Sequence, residues 1–273
     1  MLPEDLDSAV AAVLADDWGD RRAWFAFALA SPSCRVFVAE DRDGAIVGTG
    51  VATINGPVTW VGTIWVAPEQ RGYGLGRELT QATIDAGETA GCRTFVLVAT
   101  DRGRVLYERM GFEVQTWYRT MEAPGLVHDE ARTNDPRLRP FRADDLEAIA
   151  SLDRMATGED RRDIIAGLAT PDGARVLARG DGIDGFVIRA PWGGGASVAP
   201  LVDDALRIQH ARRISAGPGK RVRCGVLLEN AIGAEALEAA GWTEAWRAPR
   251  LIRGAPLDWH PEHLWGQFNH AMG

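Results

Sequence analysis

Trp65-Val66-Ala67-Pro68-Glu69-Gln70-Arg71-Gly72-Tyr73-Gly74-Leu75-Gly76-Arg77 decides the reading of this chain, because there an apolar strand runs into a glycine-rich loop and the loop becomes a helix. Pro68 removes a backbone donor and ends the strand run 58–66. Leu75, Leu79, Ala82 and Ala86 recur at helical spacing opposite Arg77, Glu78, Gln81 and Asp85, which predicts a helix opening near Gly72. Three glycines at alternate positions let a ligand approach the backbone, and the unpaired amides of a helix start carry partial positive charge. The stretch suits a phosphate; read alone, it also suits a plain turn between strand and helix. Two familiar nucleotide loops fail on spacing. There is no Gly-Lys-Ser/Thr ending, and a dinucleotide fingerprint needs its third glycine at position 77, which is Arg77.

Downstream, the run 94–99 is apolar at nearly every position, as a strand buried on both faces is. It leads through Thr100-Asp101-Arg102-Gly103 into a helix containing Leu106-Tyr107-Glu108, with Gly111 placed for the left-handed residue that closes a helix. Arg71-Gly72-Tyr73-Gly74-Leu75-Gly76 after a Val-x-Pro strand end resembles the acetyl-CoA loop of the GNAT superfamily of N-acetyltransferases, Gln/Arg-x-x-Gly-x-Gly/Ala. The Leu-Tyr-Glu helix stopped by Gly111-Phe112 resembles the second signature of that family.

The resemblance implies an α/β (α+β) fold, a mixed, largely antiparallel central sheet flanked by helices, and acetyl transfer from acetyl-CoA to a primary amine by direct attack. It implies that the backbone of Ile64, Trp65 and Val66 pairs with pantetheine and the acetyl oxygen. The amides of Arg71, Gly72, Tyr73, Gly74, Leu75, Gly76 and Arg77 would hold the pyrophosphate. Thr100, where many relatives carry Asn, and Gly103 would lie beside pantetheine, and Tyr107 would be the general acid for the leaving sulfur. Without the resemblance Tyr107 reads as a core aromatic whose hydroxyl finds a backbone partner. Arg71 and Arg77 either add charge to the phosphate site or are solvated. Asp16, Asp17 and Glu69 are within reach of a GNAT substrate cleft as general base, but acids in such loops are commonly solvated caps, and a water chain can serve instead. Trp18, Trp24, Trp60 and Trp65 flank that cleft, as an aromatic wall or as core packing. The competing function is a non-catalytic acyl-CoA sensor, in which Tyr107 is structural.

Thirty Lys plus Arg against 38 Asp plus Glu give a net charge of -8, which argues against nucleic acid or an anionic membrane as the partner and steers amine-bearing small molecules or peptides favourably. The first fifteen residues hold no Lys or Arg, and no apolar run is long enough to span a bilayer, so the sequence reads as cytoplasmic. Whether it is a monomer or a homodimer is not legible. Cys34, Cys92 and Cys224 are scattered, as reduced thiols are, and offer no zinc spacing. His260-Pro261-Glu262-His263 is the nearest thing to a ligand cluster, yet Pro261 argues against a helix presenting both imidazoles on one face, and no metal is expected.

The first half of the chain returns in the second. A shift of 140 places Asp5-Leu6 on Asp145-Leu146, Asp20-Arg21-Arg22 on Asp160-Arg161-Arg162 and Arg35-Val36 on Arg175-Val176. A shift of 132 places Val66-Ala67-Pro68 on Val198-Ala199-Pro200, and one of 130 places Gly111-Phe112 on Gly241-Trp242. The expected organisation is therefore a catalytic domain 1–122, a linker 123–137 and a second, degenerate copy 138–273 with an apolar C-terminal tail that must dock. At the shift of 132, 70–76 faces Val202-Asp203-Asp204-Ala205-Leu206-Arg207-Ile208, carboxylates in place of glycines; at the shift of 130, Tyr107 faces Leu237. In the first copy, the strand that opens the family's fold has almost no residues before Pro3.

Overall fold

Asn55-Gly56-Pro57 turns the chain as its composition demands: β2 (Ile46–Asn55) and β3 (Val58–Val66) pair antiparallel from Asn55 and Val58, with Gly56 at φ 64° in the two-residue loop. β1 (Cys34–Glu40) pairs antiparallel with β2, and β4 (Thr94–Val98) runs parallel to β3, so the order is β1-β2-β3-β4. The computed structural model describes residues 1–127, 135–180 and 182–273. They divide into two units, Met1–Glu113 with Leu251–Pro256 and His270–Gly273, and Val114–Arg250 with Leu257–Asn269.

In the first unit a 3-10 turn, Pro3–Asp5, leads into α1 (Leu6–Ala15) and α2 (Arg22–Ala30); α3 (Leu75–Thr89) precedes β4, and α4 (Asp101–Arg109) follows it. No strand precedes Pro3 among the described residues. Gly48 and Gly50 on β2 let α3 lie close to the sheet, since a Cβ on Gly48 would come within 2.7 Å of Leu79. A core of Val61, Ile84, Phe95, Leu97, Tyr107 and Phe112 forms between β3, α3, β4 and α4. The sheet takes one further segment, Leu251–Gly254, the end of β11 (Thr243–Gly254), beside β4; Ala255 N donates to Arg93 O at 2.9 Å. The last residues also belong here. Thr53 Oγ1 donates to Ala271 O at 3.2 Å and Asn55 Nδ2 to Met272 O at 3.3 Å.

The second unit repeats the order of elements. A 3-10 turn, Ala143–Asp145, opens α5 (Leu146–Thr157), and α6 (Arg162–Leu168), α7 (Val202–Ala216) and α8 (Ala231–Ala239) follow. Its strands are β6 (Leu138–Pro140), β7 (Ala174–Arg179), β8 (Gly182–Arg189), β9 (Gly195–Val198) and β12 (Leu264–Gly266), in the order β12-β9-β8-β7-β6. β10 (Arg221–Leu227) pairs with β5 (Glu113–Pro124), which has β11 on its other side. Trp265 and Phe268 are fully buried in this unit, Trp265 Nε1 donating to Ala199 O at 3.0 Å, so the expected apolar tail is docked over 257–269.

The boundary drawn from sequence at residue 122 falls inside β5, and all of β5 beyond Glu113 groups with the second unit. Ala123 and Pro124, assigned to the linker, close that strand; linker residues 128–134 lie outside the described residues. The shift of 132 between the copies is corrected at one place. β3 and α3 are joined by 67–74, but β9 and α7 by 199–201 alone, so the glycine loop has no counterpart and the helices correspond at a shift of 127.

Candidate active site

The β3–β4 pair opens like a split plank. Their pairing runs from Val58 and Thr94 to Trp60 and Val96 and goes no further, although β3 continues to Val66 and β4 to Val98. At the same level the β2–β3 register slips between Thr49 and Val51, and Thr63 adopts φ 52°, a left-handed conformation that a β-branched residue avoids. Three hydrogen bonds hold the kink. Thr49 Oγ1 donates to Thr63 O at 2.9 Å, Trp24 Nε1 to Thr63 Oγ1 at 2.9 Å, and Trp65 Nε1 to Asp16 Oδ2 at 2.9 Å. Because a trans peptide sets its C=O and N–H in opposite directions, tying Thr63 O back to β2 turns the Ile64 N–H away from β2, toward the side on which β4 lies.

At the end of β3 the chain passes a 3-10 turn, Pro68–Gln70, and reaches the glycine loop. Gly72 and Gly74 are left-handed at φ 88° and 96°, and Gly74 is the N-cap of α3, so the helix begins at Leu75 rather than near Gly72. A Cβ on either glycine would meet nothing within 4 Å. The Arg71 amide closes onto Pro68 O and the Arg77 amide onto Gly74 O; the amides of 72–76 find no backbone acceptor among the described residues. Five successive donors at a helix start, on an open face, fit a pyrophosphate. Arg71 turns inward: Nε donates to Val66 O at 2.9 Å, and its NH2 group pairs with Asp16. It braces the loop while Arg77, exposed, is the cation at its rim. Tyr73 is 82% exposed beside them.

Tyr107 packs among Val61, Ile64, Leu97 and Ala99, residues that flank the opening just past its last paired positions. Phe112 meets it edge-on at 6.1 Å between ring centres. A Cβ on Gly103 would come within 3.1 Å of its ring, so that glycine makes room for the side chain, and Thr100 Oγ1 accepts from Gly103 N at 3.1 Å as the N-cap of α4. The ring is buried, yet its hydroxyl is bonded to no protein group among the described residues and is not sealed from solvent. Burial pushes the phenol up to about 12, so it carries its proton at neutral pH.

Of the carboxylates considered as bases, Asp16 is committed to Trp65 and Arg71, while Asp17 sits at φ 58° in the turn after α1 and Glu69 in the exposed 3-10 turn. Trp24, Trp60 and Trp65 are buried, so packing is their first role. Thr63, Thr49 and Trp24 were not legible as a unit; Gly62, a glycine inside the strand, makes room for Ala271, whose Cβ would lie 2.3 Å from a Cβ on the glycine.

The His260 cluster belongs to the second unit. Pro261 opens a 3-10 turn, whose three-residue period eclipses His260 and His263 rather than separating them, and their rings stack at 5.2 Å with planes 18° apart. The ligand atoms of His260, Glu262 and His263 lie within 4.8 Å of one another. Cys34, Cys92 and Cys224 are buried free thiols, and among the described residues no helix is long and apolar enough to cross a membrane.

Residues 32–114 match the family model described as an acetyltransferase (GNAT) domain. The chain is 25% identical over 246 residues, 88% of its length and 85% of the relative's, to the uncharacterised N-acetyltransferase YitH of Bacillus subtilis (strain 168). A structure from Pyrococcus horikoshii assigned as an acetyltransferase superposes with a TM-score of 0.81 at 18% identity, covering 100% of this chain and 94% of that one. A tandem GNAT protein from the clavulanic acid biosynthesis pathway superposes at 0.56 and 14% identity over 93% and 96%. The structural likenesses show the fold.

Proposed function

We propose that this chain, the bearer of an acetyltransferase (GNAT) domain over residues 32–114, moves an acetyl group from acetyl-CoA to the primary amine of a small molecule or peptide. Acetyl-CoA supplies an activated thioester. The amides of 72–76 and the start of α3 bind its pyrophosphate, and the backbone of Ile64, Trp65 and Val66 lines the arm that enters the opening beyond Trp60. The Ile64 N–H stabilises negative charge on the acetyl oxygen, and Tyr107 delivers its proton to the departing sulfur.

The observation that carries this reading is Tyr107: a buried phenol, held protonated, beside the strand opening, whose hydroxyl is claimed by no protein group among the described residues. A phenol that merely filled the core would find a partner for its hydroxyl. The second unit is a copy that keeps the architecture and neither binds acetyl-CoA nor reacts. Leu237, fully buried, occupies the place of Tyr107, and the glycine loop is absent.

The test is purified protein with acetyl-CoA and a panel of amines, read by free-thiol release. Amine-dependent thiol is expected. Saturable acetyl-CoA binding without thiol release for any amine would instead favour the non-catalytic sensor.

A further inference from the structure

We propose that Trp24 is a positioning residue: its indole N–H holds Thr63 in the left-handed conformation and so keeps the Ile64 N–H turned into the strand opening. The catalytic half of this proposal rests on the acetyl-transfer reading above; the geometric half does not.

A β-branched residue in the left-handed region persists only where its surroundings over-determine it, and such residues cluster at working sites. Thr63 at φ 52° lies in the middle of a strand rather than in a turn, where no sequence signal calls for the conformation. The surroundings that impose it are named. Its carbonyl is taken by the Thr49 hydroxyl and its hydroxyl by the Trp24 indole, both at 2.9 Å. Trp24 is 1% exposed on α2, so its ring has no freedom to follow Thr63 if the strand relaxes. The next odd residue is pinned as well, with Trp65 Nε1 on Asp16 at the end of α1. The two indole bonds bracket Ile64. Helices α1 and α2 therefore fix one peptide plane of β3 from outside the strand ladder, at the point where β3 and β4 have ceased to pair. A donor aimed in advance costs no reorganisation during reaction, which is where such a hydrogen bond gains its catalytic effect.

Trp24→Phe keeps an aromatic ring, smaller than the indole, and deletes the donor; Thr63→Val keeps the β-branched shape and deletes the acceptor, and leaves the Trp24 packing untouched should the first variant fold poorly. Each is expected to lower kcat by about tenfold or more while leaving the acetyl-CoA KM within about twofold, because the contact acts on the reacting end and not on the phosphate cradle. Glycine takes the left-handed region without support, so in the Thr63→Gly background the further loss on adding Trp24→Phe should shrink to less than about twofold. An equal kcat loss in both backgrounds would show that Trp24 does not act through Thr63 and would overturn the proposal. A readout free of activity accompanies it. The Cα and Cβ chemical shifts of Thr63 should move from left-handed to extended values in Trp24→Phe, and unmoved shifts overturn the geometric half whatever the reaction. If the shifts move but wild type acetylates no amine, the geometry stands and the acetyl-transfer reading fails.

Discussion

Helix α3 and helix α7 follow equivalent strands, and the chain treats their N-termini in opposite ways. At α3 the connection 67–74 is eight residues long, Gly72 and Gly74 in it are left-handed, and five amides find no backbone acceptor among the described residues. At α7 the connection 199–201 is too short to arch, and the first turn supplies its own anion: Asp204, 3% exposed, pairs with Arg137 at 2.5 Å and with Arg179 at 3.6 Å. A helix start attracts negative charge in either case. In one unit the first turn carries only the exposed Glu78, and in the other a buried Asp204. The same contrast holds one helix later, where Thr100 and Asn230 cap α4 and α8 alike on the amides of Gly103 and Gly233, yet the residue seven beyond the cap is Tyr107 in one and Leu237 in the other.

The sharpest way to break the comparison is to make the first unit like the second. Tyr107→Phe should keep fold and acetyl-CoA affinity while turnover falls by roughly 10² to 10⁴; rapid-quench measurement of the chemical step showing no loss would leave Tyr107 a packing residue. Gly74→Glu places a side chain at φ 96° and a carboxylate on the open face. Binding should weaken by at least ~1.4 kcal/mol, a factor of ten, with wild type saturating at one acetyl-CoA per chain by calorimetry. A second site of comparable affinity would falsify the idea that α7 is closed.

Asp204→Ala probes the closed helix directly. It strips two arginines of a buried carboxylate, and denaturant titration should show a loss of ~1–3 kcal/mol. No acetyl-CoA site should appear, because the charge is gone but the loop is still missing. The smallest effect concerns acid. Burial, then the charge of Arg21, pushes His270 in the first unit down to about 4. A depressed histidine contributes stability that is intact above its ordinary value near 6.5 and is lost as pH falls through the window to about 4. The loss reaches about 1 kcal/mol by about pH 5.8. In the second unit, the Arg139 hydrogen bond holds Asp145 below its ordinary 3.8, so its contribution is lost only under stronger acid, while burial lowers His263, whose contribution falls in the same direction as that of His270. Hydrogen exchange between pH 7 and 5 should show the first unit opening more readily as pH falls, and His270→Gln should remove that dependence.

The open helix start was legible because glycine spacing is written in the sequence, and so was Tyr107, through its place before Gly111-Phe112. The kink was not. Threonine favours strands, and what overrides that preference at Thr63 comes from Thr49 and Trp24, 14 and 39 residues distant. Arg71 reads as a charge for the phosphate site or as solvated, and its pairing with Asp16 escapes both readings because that carboxylate is 55 residues away. The missing loop escaped notice for another reason: Val66-Ala67-Pro68 and Val198-Ala199-Pro200 align so well that the deletion just after them leaves no mark. The boundary at 122 falls inside β5 because Glu113–Pro124 continues as one strand past it.

The membership of Leu251–Gly254 in the first unit sets the order in which a growing chain finishes its parts. The Leu251–Gly254 segment that lies beside β4, and the His270–Gly273 segment bonded to Thr53 and Asn55, are synthesised after all of Val114–Arg250. The unit that is begun first is thus completed last. On the ribosome its sheet waits with the β4 edge bare through the making of most of the second unit, and the core around Tyr107 gains Leu251 only when that distant strand emerges.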